Sequence, residues 1–319
     1  MAQISTSSHD AASLLNKNEI VAIPTETVYG LAGNAYSEKA LKKIFKLKKR
    51  PFYNPLIIHI KSIADLDKIA TDIPEKAKLL ADTFWPGPLT LVLKRQSTIP
   101  DLVTAGKNTV AVRVPNHPVT LALLEQLSFP LAAPSANPFG SISPTKAEHV
   151  ANYFTKSSLT VLEGGECRSG IESTIIGFEE EFPILYRLGS ISIEEIEAVI
   201  GVLKIQIHKG ETPIAPGMLS KHYAPQTKTI LSEAIAQDLI LFDKKRVGVL
   251  TYQTVFKNEN IIAHEVLSPT GNLTEAASQL YNALHKLDQL QLDVIIAERF
   301  PNHGLGRTIN DRLERATTK

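Results

Sequence analysis

Strand-like and helix-like patterns alternate along the first part of the chain, and this alternation most constrains the fold. Short runs rich in β-branched residues predict strands at 20–23, 55–60, 89–93, 110–114, 131–133, 160–162, 173–177 and 184–188. Apolar residues at helical spacing predict helices at 10–18, 39–49, 65–70, 74–84, 117–126, 145–154 and 192–200. Because the helices interrupt the strands without a strict βαβ order, we predict an α/β (α+β) fold, a mixed sheet with helices on its faces.

The rest of the chain predicts a second, smaller α/β domain. Residues 208–228 contain several prolines and glycines and show no hydrophobic period, which is typical of a stiffened linker. Strands at 246–252 and 293–297 then alternate with helices at 273–290 and 308–316, an order typical of a Rossmann-like unit with parallel strands. We therefore expect a first domain at 1–207, a linker at 208–228 and a C-terminal domain at 229–319.

The composition excludes several classes of protein. A net charge of +1 argues against a protein that coats nucleic acid by bulk electrostatics. The single cysteine, Cys167, can form neither a disulfide framework nor a thiolate metal site within the chain. The N-terminus is polar, and no apolar run approaches the roughly 20 residues of a membrane helix. We expect a cytoplasmic protein with no membrane partner.

A hydroxyl-rich turn and a strand histidine lie close together in the sequence. Thr25 and Thr27 flank Glu26 in a turn that we place between a strand and a helix. His59 lies in the Ile-Ile-His-Ile strand, where a histidine is more often a core residue than a ligand. Nothing in packing alone requires both features beside a cation cluster. The combination favours a pocket that holds a small polar ligand next to a polyanion.

The cation cluster follows the predicted helix 39–49, for which Ser37 is the expected N-cap. Lys48 and Arg50 alone fit an ordinary solvated helix end equally well, since the helix dipole favours cations there. Pro51 and Asn54-Pro55 predict an extended chain that points both cations toward the next strand. An arginine offers a planar fork to phosphate and a lysine a compact charge.

Further candidates lie in strands and loops downstream. Arg113 interrupts a strand of alternating valines, so it either faces solvent or pairs with an anion. The loop around Ser135 and Ser143 is rigid and rich in hydroxyls, which suits contacts to a ribose, a phosphate or a base. A simple proline-bounded loop explains it equally well. Ser173 lies where a loop enters a strand, and Cys167 has no neighbouring base in the sequence, so we interpret it as a structural thiol.

Common catalytic signatures are absent from the sequence. There is no phosphate-loop motif, no His-Glu-x-x-His, no Gly-x-Ser-x-Gly and no kinase signature. Gly304-Leu-Gly306 resembles half of a dinucleotide fingerprint but lacks its third glycine and its downstream acid. We interpret this fragment as a tight turn into a helix.

The motifs nevertheless occur in a recognisable order. They are Pro-Thr-Glu-Thr-Val-Tyr-Gly-Leu (24–31), Lys-x-Arg-Pro-x-x-Asn-Pro-Leu (48–56), Phe-Trp-Pro-Gly-Pro-Leu-Thr (84–90), Val-Ala-Val-Arg-Val-Pro (110–115), Ala-Pro-Ser-Ala-Asn (133–137) and Glu-Ser-Thr-Ile (172–175). In this order they resemble the L-threonylcarbamoyladenylate synthases, the YrdC-like family. The segment 216–225 resembles the linker of its longer, two-domain form. The resemblance implies a YrdC-like twisted mixed sheet followed by a small C-terminal α/β domain.

The resemblance also implies a reaction. The amine of L-threonine captures CO2 derived from bicarbonate, and the resulting carboxylate attacks the α-phosphate of ATP. The products are threonylcarbamoyl-AMP and pyrophosphate, and downstream transfer proteins move the threonylcarbamoyl group to the tRNA adenosine beside the anticodon. Catalysis of this kind rests on positioning and on stabilising phosphoryl charge, with Mg2+ on the ATP phosphates rather than on protein side chains.

The family pattern assigns roles to residues of this sequence. The residues implied for L-threonine are Thr27, His59, Arg113, Ala133 (through its backbone) and Ser173. The residues implied for ATP are Lys48, Arg50, Asn54, Thr109, Ser135, Ser143, Arg187 and Tyr223. Lys48 and Arg50 are implied as the catalytic pair on the phosphates. Tyr223 resembles a linker residue that folds back over the nucleotide, which implies a lid.

Two other functions compete with this interpretation. A non-catalytic RNA-binding module could hold a phosphate backbone on the same basic surface, but the near-neutral charge and the lack of an aromatic stacking array weigh against it. For the synthase itself we expect a weak contact to RNA. A carbamoyltransferase of hydrogenase maturation has a similar domain, but it also contains cysteine-rich zinc motifs. The single cysteine of this chain excludes those motifs.

Overall fold

The structure is a computed structural model that describes residues 2–207 and 222–317. In the first range the elements are β1 (Gln3–Ser5), α1 (Ser8–Asn16), β2 (Val21–Ile23), β3 (Gly30–Asn34), α2 (Glu38–Lys48), β4 (Ile57–His59), a 3-10 helix (Ile63–Lys68), β5 (Ala70–Thr71), α3 (Glu75–Phe84), β6 (Leu89–Arg95), α4 (Asp101–Thr104), β7 (Thr109–Arg113), α5 (Pro118–Glu125), β8 (Leu131–Ala132), α6 (Ala147–Tyr153), β9 (Thr160–Leu162), β10 (Thr174–Glu179), β11 (Phe182–Arg187), α7 (Ile193–Ile200) and β12 (Lys204–Ile205). In the second they are β13 (Thr229–Ser232), α8 (Ile235–Leu241), β14 (Val247–Thr251), β15 (Ile261–Val266), α9 (Leu273–Asp288), β16 (Val294–Glu298) and α10 (Leu305–Ala316).

The first range forms a twelve-stranded mixed sheet, which confirms the predicted fold class. Its strand order is β1-β9-β2-β3-β8-β4-β7-β6-β10-β11-β12, with β5 paired to β6 beside this path. Parallel pairs such as β4–β7 and β6–β10 alternate with antiparallel pairs such as β6–β7 and β10–β11. A large buried apolar cluster on one face packs α3 and α7 against the central strands. This packing leaves the carboxyl ends of β4 and β7 side by side.

Local sequence signals account for the helices that border this sheet. The hydroxyl of Ser37 accepts a hydrogen bond from the amide of Ala40, so the predicted N-cap of α2 is present. Leu41, Ile44 and Phe45 form its buried stripe. Helix α7 begins with a complete capping box, in which Ser192 and Glu195 satisfy each other's backbone amides.

Some predicted elements differ from the observed ones. The turn at Thr25 and Thr27 leads into strand β3, which pairs antiparallel with β2, and not into a helix. Strand β3 contains two glycines, which lower its β-propensity, so the sequence pattern does not predict it. Pairing with its neighbours β2 and β8 stabilises it. Residues 63–68 form a 3-10 helix where we predicted an α-helix. The chain after Pro51 makes a turn, with the amide of Asn54 donating to its carbonyl, and is not extended.

The second range contains a four-stranded sheet in the order β13-β16-β14-β15, in which all pairs are parallel. This confirms the predicted parallel α/β domain, to which β13, β15 and α8 add elements that the sequence patterns missed. Within residues 2–207 and 222–317, no helix combines the length and hydrophobicity that crossing a membrane requires. Most of the predicted linker, residues 208–221, lies outside the described residues.

The two sheets share a buried apolar cluster. Val28, Ile142 and Ile171 from the first range pack with Leu280 and Ile309 of helices α9 and α10. One close approach is at Gly170, where a Cβ atom would overlap the backbone carbonyl of Ser278 in α9. Gly170 also has a φ of +65°, which favours glycine. The loop before β10 therefore lies directly against the C-terminal domain.

We predict that Gly170→Ala lowers the thermal unfolding midpoint more than Gly165→Ala does. Both glycines have positive φ, so both variants bear the cost of about 1–2 kcal/mol for a side chain in this region. Nothing lies within 4 Å of a Cβ at Gly165, so only Gly170→Ala must also displace helix α9. Equal midpoints for the two variants, measured by circular dichroism, would contradict the close packing of α9 on this loop.

Candidate active site

A cavity that is partly open to solvent lies at the carboxyl ends of β4 and β7. Strands β4 and β7 run parallel with His59 paired to Arg113, so both residues reach this cavity from adjacent positions. The cavity is lined by Thr25, Thr27, Val28, Gly30, Arg50, Ile57, His59, Arg113, Ala133, Pro134, Ser135, Glu172, Ser173, Arg187, His222 and Tyr223. Polar and charged side chains make up much of this wall.

One side of the cavity is cationic. The Arg50 guanidinium is held by Asn54, whose side-chain oxygen lies 2.6 Å from Nη2 and whose carbonyl oxygen lies 3.2 Å from Nε. Nη2 also donates to the Pro55 carbonyl at 2.7 Å. Arg187 donates from Nε and Nη2 to the Ser173 carbonyl at 3.0 and 2.7 Å. Burial lowers the pKa of Arg50, and the positive charge of Arg187 lowers it further.

Lys48 lies just behind this cationic wall. Its ammonium donates to the carbonyl of Ser135 at 2.6 Å and to the carbonyl of Asn137, so it anchors the Ala-Pro-Ser-Ala-Asn loop. Burial, and then the charge of Arg50, lower the Lys48 pKa well below its ordinary value. Within the described part of the chain, neither Lys48 nor Arg50 has a carboxylate within ion-pair distance. An anion entering the cavity would therefore offset the cost of burying these two charges.

The opposite side of the cavity is arranged around Arg113. Its Nη1 donates to the Thr27 hydroxyl at 2.9 Å and its Nε to the Gly87 carbonyl at 3.2 Å. Its Nη2 lies 2.5 Å from a carboxylate oxygen of Glu26, in an ion pair almost fully buried on both sides. Because removing one partner would leave a buried, uncompensated charge, Glu26 fixes the position of Arg113.

His59 and Ser173 complete this side. Burial, and then the charge of Arg113, lower the pKa of His59 to about 3, so its ring is neutral near pH 7. Its Nδ1 has no hydrogen-bond partner among the described residues, which leaves that nitrogen for a ligand. The Ser173 hydroxyl lies 2.7 Å from that of Thr90 and accepts a hydrogen bond from Arg187 at 2.9 Å. Ser173 is thus bonded to Arg187 of the cationic side while it lines the same cavity as His59 and Arg113.

Tyr223 and its neighbour His222 also line the cavity. Both are buried, and Ala224 is tied to the first domain by an amide that donates to the Gly140 carbonyl at 2.9 Å. Tyr223 has a φ of 66°, a strained conformation for a bulky residue, and its hydroxyl has no partner within the described ranges. The sequence predicts that the linker contributes Tyr223 to the site, and Tyr223 lines this cavity.

Most sequence-predicted residues line this one cavity, but four do not. Lys48 lies behind the wall, Asn54 supports Arg50, and Ser143 donates its hydroxyl to Glu172 at 2.6 Å. Thr109 begins strand β7, at the opposite end from Arg113, and is half-buried. Cys167 is buried, and burial raises the pKa of its thiol, which agrees with the predicted structural role.

Sequence reasoning missed several residues of the site. Glu26 stands inside a motif between two threonines, and only the fold shows that it pairs with Arg113. Glu172 lines the cavity and is bound by Tyr281 and Arg312 from more than a hundred residues away. One signal was available, because Arg312 interrupts the apolar face of α10 beside Ile309 and Leu313. An arginine on a buried helix face requires a buried partner.

The mixed α/β sheet with a cationic cavity beside its central strands is the arrangement expected for a YrdC-like protein, and the family models assign the chain to that class. Residues 13–189 match the family model described as "Telomere recombination" (Sua5_yciO_yrdC), and residues 191–318 match the one described as "Threonylcarbamoyl-AMP synthase, C-terminal domain". The chain therefore belongs to the two-domain threonylcarbamoyl-AMP synthase family.

Individual relatives agree with this assignment. The chain is 43% identical to the threonylcarbamoyl-AMP synthase of Pyrococcus abyssi, over 96% of this chain and 93% of the relative. It is 44% identical to that of Bacillus subtilis, over 96% and 91%. The crystal structure of P. abyssi Sua5 complexed with L-threonine superposes with a TM-score of 0.92 at 39% identity, covering 99% of this chain and 97% of that one. The chain is thus an enzyme of the nucleotidyltransferase type, and the alternative of an RNA-binding module is not favoured.

The depressed pKa of His59 predicts a pH-dependent stability. The unfolded chain binds a proton on this ring below pH about 6.5, whereas the folded chain does not until pH about 3. Stability is therefore lost as the pH falls through this window, by about 2 kcal/mol from this group between pH 7 and pH 5. Urea unfolding at both pH values should show a smaller loss for His59→Asn than for the wild type. Equal losses would contradict a buried, neutral His59.

Proposed function

We propose that this enzyme makes threonylcarbamoyl-AMP and pyrophosphate from L-threonine, bicarbonate or CO2, and ATP. The threonine amine forms a bond to carbon dioxide and releases a proton, giving N-carboxythreonine. One oxygen of the new carboxylate then attacks the α-phosphorus of ATP, and pyrophosphate leaves. The observation that supports this most is the division of one cavity into a side with buried cations and a side built around Arg113.

On the Arg113 side we propose that L-threonine is bound by Thr27, His59, Arg113, Ala133 and Ser173. Arg113 would receive the substrate carboxylate, with Glu26 holding the guanidinium in place. The amide of Ala133 already donates to the Ile57 carbonyl, so its carbonyl is the group left to contact the ligand. The unpartnered Nδ1 of the neutral His59 ring can bond a polar group of threonine without adding a charge.

We propose that ATP is held by Arg50, Ser135, Arg187 and Tyr223 in the cavity wall, by Lys48, Asn54 and Ser143 outside it, and by Thr109 at the start of β7. Arg50 lines the cavity and would contact the phosphates directly, while Asn54 orients it. Lys48 would act on the same phosphates from behind the loop whose carbonyls it now binds. Fixed positive groups of this kind stabilise the charge that develops during phosphoryl transfer without reorganising.

We propose that Mg2+ accompanies ATP and is coordinated by the phosphates. Among residues 2–207 and 222–317 there is no group of three histidine, cysteine or acidic side chains arranged to hold a metal. Glu172, the acid in the cavity wall, is already engaged by Ser143, Tyr281 and Arg312. When bound, the ion would neutralise phosphate charge.

The wider setting follows from the same proposal. The catalytic domain would comprise residues 1–207, with a connecting segment at 208–228 that covers the active site through Tyr223 and a C-terminal domain at 229–319. The product would pass in the cytoplasm to proteins that transfer the threonylcarbamoyl group to tRNA. We also propose that this enzyme makes a weak contact with RNA.

A direct assay tests the proposed function. The protein is incubated with ATP, Mg2+, L-threonine and 13C-bicarbonate, and threonylcarbamoyl-AMP is sought by mass spectrometry. We expect a product that is one mass unit heavier with the label and absent when threonine is omitted. A folded protein that forms no such product would refute the proposal.

We predict that Arg50→Ala lowers threonine-dependent pyrophosphate release by about 100-fold or more, since a positioned charge on the reacting phosphate is lost. Lys49→Ala is the matched control, because Lys49 is the exposed neighbour between the two buried cations and is not among the residues that line the cavity. It should retain wild-type activity. Full activity in Arg50→Ala would disprove the phosphate assignment.

A further inference from the structure

A buried carboxylate, Glu172, connects the cavity to the C-terminal domain. Its Oε1 accepts the hydroxyl of Ser143 at 2.6 Å. Its Oε2 accepts the Tyr281 hydroxyl at 2.8 Å and Nε of Arg312 at 3.0 Å. Glu172 lines the cavity and immediately precedes Ser173. The two groups that hold it from the far side thus come from α9 and α10.

Helix α9 contacts the same loop a second time. Tyr281 and His285 are four residues apart, so they project from the same helix face. Nε2 of His285 lies 3.2 Å from the Ser143 carbonyl, and a carbonyl only accepts, so this nitrogen holds the proton. Ser143 is therefore bound through its backbone by His285 and through its hydroxyl by Glu172. Its conformation depends on α9 at two points.

Arg312 and Tyr281 also enclose the linker tyrosine. The Arg312 guanidinium carbon lies 4.9 Å from the centre of the Tyr223 ring, and the Tyr281 ring stacks on Tyr223 at 5.6 Å. Arg312 is fully buried and donates from Nη2 to the Leu188 carbonyl at 2.5 Å, next to Arg187. One guanidinium therefore touches the linker, the cavity carboxylate and the end of β11.

We propose that Tyr281 and Arg312 of the C-terminal domain are positioning residues of the active site. They hold Glu172, and through it Ser143 and Ser173, in the geometry that binds nucleotide and threonine, and they support Tyr223 in the wall of the cavity. This inference rests on the function proposed above. It gives the C-terminal domain a role in substrate binding without any direct contact to substrate by that domain.

Electrostatics explain why the charged form of Glu172 depends on partners from the C-terminal domain. Burial raises the pKa of Glu172, but Arg312, Arg187 and the hydrogen bonds from Ser143 and Tyr281 outweigh it, so the net pKa is lowered and the carboxylate is charged. A buried carboxylate without these partners would become protonated or turn to solvent. Protonation would weaken the hydrogen bond from the Ser143 hydroxyl, and a turn to solvent would break it.

The mildest test removes one hydroxyl. Tyr281→Phe keeps the ring stack but loses a hydrogen bond to a charged acceptor, and we expect the KM for ATP to rise roughly 3- to 10-fold with kcat retained at saturating ATP. The matched control is Tyr252→Phe, which also removes a tyrosine hydroxyl in the C-terminal domain, one that donates to the Gly271 carbonyl. It should leave both constants unchanged.

A double-mutant cycle separates positioning from a general loss of stability. If Tyr281 acts on Ser143 through Glu172, the effects of Tyr281→Phe and Ser143→Ala on the ATP KM should be clearly less than additive. Additive effects would overturn the route through Glu172.

A second pair of variants, Arg312→Lys and Arg312→Gln, tests whether the positive charge of Arg312 is required. Arg312→Lys should retain part of the ATP affinity that Arg312→Gln loses.

Nucleotide binding is measured separately, as the rise in thermal midpoint caused by Mg-ATP alone. If the wild type binds ATP but forms no threonylcarbamoyl-AMP, the proposed function fails, and a weaker ATP shift in Tyr281→Phe would still support positioning. If the wild type forms product and Tyr281→Phe matches Tyr252→Phe in KM and ATP shift, positioning is refuted and the function stands. A wild type with neither property refutes both.

Discussion

Buried positive charge around a single cavity is the constraint on which this structure depends. Removing a guanidinium or an ammonium from water is costly unless oxygen atoms replace the lost hydration. Different oxygens surround each cation: Glu26 for Arg113, Asn54 and Pro55 for Arg50, the Ser173 carbonyl for Arg187, and loop carbonyls for Lys48. Because Lys48 and Arg50 are compensated only by neutral oxygens among the described residues, the cavity is prepared for an anionic ligand.

The surrounding fold is arranged to provide those oxygens. The mixed sheet brings His59 and Arg113 to adjacent positions at the ends of parallel strands, and the loops after β2, β8 and before β10 close around them. The C-terminal domain provides the remaining partners. Its helices α9 and α10 surround Glu172, and Gly170 permits the close approach that this requires. The residues that line the cavity and the residues that join the two domains therefore form one continuous buried region.

Much of this could be predicted from the sequence. Strand and helix patterns indicated the mixed sheet and the parallel second domain, and short motifs with the family resemblance that they carry indicated nine of the residues that line the cavity. The misses have physical causes. Strand β3 contains two glycines and is held by its neighbours rather than by propensity. Asn54 and Ser143 are predicted site residues whose side chains bond to Arg50 and Glu172 rather than line the cavity, which no local pattern reveals.

What the sequence by itself determined is the class of fold, the order of the motifs and the chemical types of the site residues. These follow from periodicity, turn chemistry and short motifs, all of which are local. Only the tertiary structure decided which charges pair. Glu26 meets Arg113 across 87 positions, and Glu172 meets Arg312 across 140. Such pairs form only when strands and domains dock. An unpaired charge costs free energy only where it is buried, so the need for a partner arises in the folded structure and not in the local sequence.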